Sequence, residues 1–181
     1  MSVERVYVAV DINNLWHSCR ETYGIAARVS FARLREMILR GQTAGTPRQL
    51  TLVAYAVALP KYENSSFLKS LEASGYRVKI RRMRIAKGIQ KPFHTDWDVG
   101  ITIDAINLVN DYDTFVLASG DGDYAPLLQE LRARKKRTEV VTIKNSASGQ
   151  LFSAADVVLF LTEQEIFHDP KISRGHNADG S

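Results

Sequence analysis

Cysteine is almost absent from this chain: Cys19 is the only one in 181 residues. No intramolecular disulfide can form, and a lone thiol argues against a zinc–thiolate site. Long apolar runs are missing as well, since no segment approaches the ~20 apolar residues needed to span a bilayer. The first apolar run, Val6 to Val10, meets Asp11 at once, so it does not read as the core of a signal peptide. There is no internal repeat and no low-complexity tract. Strong charge imbalance is lacking too: 24 basic against 20 acidic residues leave a net +4. That balance permits a polyanionic partner without requiring one. These absences set the expectation of a soluble, cytoplasmic protein with no membrane segment, and they leave a homo-oligomer open.

What is present is an ordinary globular composition, 45% hydrophobic and 24% charged, with length enough for one core. Val6 to Val10 reads as a first strand ending at Asp11, with a helix from Asn14 to about Tyr23. Ser30 is placed to cap a helix carrying Leu34, Met37, Ile38 and Leu39, closed by Gly41. After a loop at Gln42 to Arg48 come a buried strand (Leu50 to Val57), a helix (about Asn64 to Ser74) and a strand (Tyr76 to Arg82). Asp98 opens a helix to about Asn110, followed by a strand at Asp113 to Ala118 and a helix from Pro126. Thr138 to Ile143 and Val157 to Leu161 read as two further strands. Strands alternating with helices predict an α/β fold with a parallel sheet covered on both faces. The apolar periodicity fades near Glu163. Residues 1–162 are therefore read as the domain, and 163–181 as a flexible tail or one docked only through Ile166 and Phe167.

The stretch that carries chemistry is Ser119-Gly120-Asp121-Gly122-Asp123-Tyr124. It leaves the C-terminal end of a buried strand, the edge where open α/β sheets bind ligands. Asp11 ends the first strand, and Asp98 opens the helix leading toward the Phe115 strand. If those strands are neighbours, Asp11, Asp98, Asp121 and Asp123 converge. Clustered carboxylates raise one another's pKa unless a cation neutralises them, and oxygen-only ligands suit Mg²⁺ or Mn²⁺. Such ions can activate water and stabilise a leaving oxygen in phosphodiester cleavage. Each acid also has an ordinary structural reading. Asp98 and Asp123 are candidate helix caps, and Asp121 a turn residue. Taken together, strand-end and helix-start positions that all carry aspartate favour the metal reading. Asn14 is a candidate partner for Asp11, ligand for a substrate phosphate, or helix cap. Ser119 either orients Asp121 or binds phosphate. At about 3.6 residues per turn, Asp104 lies off the face of Asp98 and is read as a supporting acid.

Between Arg77 and Lys91 lie seven basic residues and no acidic one. On the strand, Val78 and Ile80 are expected to face the core, with Arg77, Lys79 and Arg81 in solvent. Charge of this kind protects an edge strand from unwanted pairing. It also suits a phosphate-backbone track, with Arg82, Arg84, Lys87 and Lys91 leading toward the acids. Phe93, His94 and Trp97 in the same loop are candidates for stacking on unpaired bases.

Three elements in this order resemble the NYN domain, the PIN-like nuclease family that includes the LabA-like bacterial proteins. They are VAVDINN at Val8 to Asn14, DWDVGITIDA at Asp96 to Ala105, and SGDGDY followed by Pro126-Leu127. The late segment SAADVVLFL from Ser153 is similar to the family's closing strand, so the likeness spans nearly all of Val6 to Leu161. The resemblance implies a three-layer α/β/α sandwich and metal-dependent cleavage of single-stranded or structured RNA. It makes Asp11, Asp98 and Asp121 metal-binding acids with Asp123 a fourth, and matches Asn14 and Asp104 to the family's asparagine and middle-helix acid. One departure is that nine residues separate Lys87-Gly88 from Asp98, which leaves Asp96 as an alternative ligand. Three other readings compete with RNA cleavage: RNA binding without cleavage, a Toprim-like enzyme and a phosphatase. The Asp ending the first strand speaks against Toprim, and Asn13 two residues later against a haloacid-dehalogenase-type phosphatase.

Overall fold

Strand β1 (Glu4–Asp11) is buried from Val6 onward, as its unbroken apolar run requires of a strand covered on both faces. It pairs in parallel with β3 (Arg48–Ala58) on one side and β5 (Thr114–Ala118) on the other. A computed structural model describes residues 2–41, 46–83 and 96–169. With β4 (Arg77–Arg82), β6 (Arg137–Thr142) and β7 (Val157–Phe160), the strands form one six-stranded parallel sheet in the order β4-β3-β1-β5-β6-β7. Side chains alternate across the pleat, so β1 feeds two cores. Val6, Val8 and Val10 pack with α1 (Ile12–Tyr23), α2 (Phe31–Arg40) and α3 (Ser66–Ala73). Tyr7 and Ala9 pack with α4 (Asp98–Asn107), α5 (Ala125–Ala133) and α6 (Gly149–Ala154). The expected α/β/α sandwich is the observed fold.

The expectation for the edge strand needs correction, and part of the tail lies outside the described residues. In its described part β8 (Ile166–His168), which holds Ile166 and Phe167, pairs antiparallel with β2 (Ala27–Val29). Three-residue strands are too short to show periodicity. Ile166 is buried there, but Phe167 is left half-exposed. On the edge strand β4, Val78 joins the core while Ile80 stays exposed. Lys79 and Arg81 are only half-exposed: Lys79 Nζ donates to Asp104 Oδ2, and the Arg81 guanidinium covers the Trp97 ring.

At the opposite edge from the acids, one arginine ties four strands together. Arg48 of β3 donates through Nε to Glu4 of β1 (2.8 Å), and through Nη1 and Nη2 to both oxygens of Glu139 on β6 (3.0 and 2.6 Å). Thr114 of β5 donates to Glu4 as well. Gly41 makes room for this, since a Cβ there would stand 2.6 Å from Arg48 Nε. Burial alone would raise the Glu139 carboxyl, but hydrogen bonds from Arg48 and Arg137 hold it below the ordinary glutamate value. Arg48→Met removes two of the three hydrogen bonds to that buried carboxylate, leaving only the one from Arg137, and is expected to cost about 3 kcal/mol. The double variant Arg48→Met/Glu139→Leu recovers most of the loss, measured as urea midpoints. Because the folded pKa is depressed, this stabilisation is present above the ordinary value of 4.5 and is lost as pH falls through the lowered folded pKa. Acid should therefore destabilise the wild type more steeply than the double variant.

Candidate metal centre

Parallel pairing brings the ends of β1 and β5 side by side, with Val10 opposite Ala118, so Asp11 and the Ser119 turn meet. α4 delivers Asp98 to the same place. Asp98, Asp121 and Asp123 each offer a carboxylate oxygen, and these three oxygens lie within 4.8 Å of one another. Opposite ligands on an octahedral Mg²⁺ with ~2.1 Å bonds stand ~4.2 Å apart, so small rotamer shifts would fit this oxygen-only set to such an ion. The donor chemistry fits a hard divalent cation.

Asp11 sits deeper. It is buried, its Oδ1 accepts the Asn14 backbone N–H (3.1 Å), and its Oδ2 faces the Tyr124 hydroxyl at 3.2 Å. The same hydroxyl lies 2.9 Å from Asp98 Oδ1 and can donate to either acid. Burial pushes the Asp11 carboxyl up to about 6; the Asn14 hydrogen bond opposes the shift, and the neighbouring charge of Asp98 adds to it. Asp98 is raised as well, first by burial and then, against the pull of Tyr124, by Asp96, Asp121 and Asp123. A cation here would relieve both shifts.

Asp121 keeps the turn role the sequence offered it, while the helix-capping role falls on Asp11 and not on Asp98 or Asp123. Among the described residues neither Asp98 nor Asp123 caps a helix: Trp97 and Tyr124 occupy the positions before α4 and α5. Asp11 caps α1, and Asp121 caps the 3-10 turn at Gly122–Tyr124 by accepting the Asp123 backbone N–H (3.0 Å). Among the described residues, no hydrogen bond reaches the Asp123 carboxylate, which is exposed.

Asn14 does not cap its helix through its side chain. Its Oδ1 accepts the Gly120 backbone N–H at 2.8 Å, locking the two strand-end turns together. Ser119 is wholly buried and its Oγ accepts the Asp121 backbone N–H, so it shapes the turn and is out of reach of a phosphate. Gly120 and Gly122 permit close approach of the next turn: a Cβ would meet Ser146 O at 2.7 Å or Ser148 Oγ at 2.5 Å.

Asp104 takes no part in the cluster. It accepts from Lys79 Nζ and from the Tyr55 hydroxyl, which in turn pairs with the Tyr7 hydroxyl. Trp97 is a packing residue, donating Nε1–H to Ala56 O and resting on Tyr55. Arg82 is exposed and paired with Glu63. Arg84, Lys87, Lys91, Phe93 and His94 lie outside the described residues. The residue that sequence reasoning missed is Tyr124. It stood inside the motif, and a buried tyrosine usually finds a hydrogen-bond partner for its hydroxyl, which was the available signal.

Comparison with known proteins agrees with this architecture. A family model for the NYN domain matches residues 5–162. The low amplitude and bright protein LabA of Synechococcus elongatus is 28% identical over 109 residues, which are 58% of this chain and 59% of LabA. The chain thus spans under two thirds of that relative. A crystal structure of a protein of unknown function from Vibrio parahaemolyticus superposes with a TM-score of 0.75 at 27% identity, covering 91% of this chain and 97% of that one. With nearly the whole sheet inside the family match and acids gathered at its carboxyl edge, the chain belongs to the NYN domain family, part of the PIN-like nuclease superfamily.

Proposed function

We propose that the protein is a Mg²⁺- or Mn²⁺-dependent ribonuclease that cuts RNA endonucleolytically in the cytoplasm. The observation that supports it most is the convergence of Asp98, Asp121 and Asp123 at the strand-end edge of an NYN fold. In this reading those three carboxylates hold the ion directly, and Asp11 joins them once its Oδ2 turns from Tyr124. A divalent ion bound there supplies a water of lowered pKa and stabilises charge on the leaving oxygen. Tyr124 fixes the separation of Asp11 and Asp98, while Asn14 fixes the two turns relative to each other. Asn14 still has its amide N–H groups to offer a phosphate. Arg82, Arg84, Lys87 and Lys91 are assigned the approaching phosphate backbone.

RNA binding without cleavage is the second reading. It is favoured by the position of Asp11, whose two oxygens are both engaged and which lies outside the close group of three. A phosphomonoesterase would instead hydrolyse p-nitrophenyl phosphate, which the ribonuclease reading predicts to be inert.

Labelled single-stranded RNA incubated with Mg²⁺ or Mn²⁺ should be cleaved, and EDTA should stop the reaction. Asp98→Asn and Asp121→Asn should each lower the rate by more than about 100-fold, beyond the usual cost of a supporting residue, while the unfolding midpoint is kept. Full activity in both folded variants would sink the mechanism.

Tyr124→Phe removes only the hydroxyl between Asp11 and Asp98. It should reduce activity at limiting Mn²⁺ by about 10–100-fold. Saturating Mn²⁺ should restore most of it, read as a shift in the Mn²⁺ concentration giving half-maximal rate.

A further inference from the structure

A cleft of about 560 Å³ opens between the N-terminal halves of α1 and α3, at the carboxyl edge of β3. Its wall begins with Ile12 and Asn13, the two residues after Asp11, so one end of it starts beside that acid, while Asp98, Asp121 and Asp123 are not in its lining. Five rings line it: Trp16 and His17 from α1, Tyr62 from the 3-10 turn after β3, Phe67 from α3 and Phe167 from β8. Tyr62, Phe67 and Phe167 are 53%, 39% and 48% exposed, although large aromatics grouped on a surface normally mark an interaction site. A second cavity of about 190 Å³ shares Trp16, Phe67 and Phe167 and extends the groove along α1.

Cations accompany the rings. The Arg20 guanidinium lies 4.2 Å from the Trp16 ring centroid, and Lys61 Nζ lies 4.8 Å from that of Tyr62. Arg28 lines both cavities and Asp169 the larger one, while Arg20 and Lys61 stand just outside the lining. Aromatic faces flanked by positive charge are what unpaired bases on a phosphate chain require.

We propose that this cleft holds unpaired bases of single-stranded RNA next to the acid cluster, with Trp16 and Phe67 as stacking platforms. This rests on the reading of the acids as an RNA site. Base stacking therefore belongs to the α1–α3 cleft, on the opposite side of the sheet from Trp97.

The test is fluorescence anisotropy of a 5′-fluorescein oligouridylate in EDTA, where cleavage plays no part. Trp16→Ala and Phe67→Ala should each weaken binding by about tenfold, while Trp16→Phe, which keeps a ring, should stay close to wild type. An abasic strand of equal length should bind as weakly to wild type as oligouridylate does to Trp16→Ala, and duplex RNA should compete poorly. Affinity unchanged in both alanine variants, equal binding of the abasic strand, or no binding at all would overturn the proposal. So would a dimer in sedimentation that Trp16→Ala dissolves, since a second copy would then own the cleft. Trp16-dependent binding without Mn²⁺-dependent cleavage would keep the cleft and remove the nuclease reading. Cleavage with Trp16-independent binding would do the reverse.

Discussion

The parallel pairing of β1 with both β3 and β5 is the constraint from which the rest follows. Its register sets Asp11 opposite Tyr55 and Val10 opposite Ala118, so one level of the sheet carries the first acid and the start of the second acidic turn. A one-residue slip would exchange the faces of every side chain on β1 and move Asp11 away from Tyr124. The clamp at the other edge works against such a slip. Arg48 can reach Glu4 and Glu139 together only when β3, β1, β5 and β6 are in this alignment. A buried pair adds little net stability compared with an apolar substitute. Its contribution here is to penalise the wrong alignment, in which a charge would be buried without a partner.

Holding like charges together at the functional edge takes structure of a different kind. Asp11 spends one oxygen on the α1 cap, and Asp121 spends one on its 3-10 turn. Asp98 shares Tyr124 with Asp11, and Asp123 faces solvent. The acids thus differ in what they have left to offer an ion, although all four are aspartates. Asp123 and Asp121 can coordinate with least rearrangement, and Asp11 must first give up a hydrogen bond. The cross-strand bond from Gly120 N–H to Asn14 and the close glycine contacts mean that this arrangement exists before any ion or substrate arrives.

The sequence disclosed whatever depends on strand ends. Buried runs that stop at Asp11 and at Ser119 located both acidic turns, and the alternation of elements located the sheet. What stayed hidden depends on side chains meeting from distant segments. Arg48 and Glu139 are 91 positions apart, and nothing local distinguishes them from surface charges. Asp104 looked like support for the acids because it shares α4 with Asp98, yet its position about 240° around that helix points it at Lys79 and Tyr55 instead. Lys79 itself looked solvent-bound because strand alternation says which face a residue takes, and not whether a helix covers that face. Ser119 illustrates the same limit: a hydroxyl beside an acid is visible in the chain, and its complete burial is not.

In the proposed reading, the acid cluster and the aromatic cleft divide the work that an RNA-directed enzyme has to do. Carboxylates and ions see a phosphodiester, and every linkage in an RNA presents the same one. Selection of one linkage over another has to come from contacts beyond the acids. Asp11 and Asn13 sit on one turn, the first facing the acid cluster and the second lining the aromatic cleft. Asn13 is held there by accepting the Val57 backbone N–H, which ties the turn to β3 as firmly as Asn14 ties it to β5. A base seated on Trp16 would therefore fix the distance from its phosphate to the acids through a rigid two-residue step. A cleft that held bases in this way would require them out of a helix, because a paired base cannot present its face to a ring. Under the proposed function, preference for unpaired RNA would follow from the shape of the cleft, while the chemistry at the acids would stay indifferent to sequence.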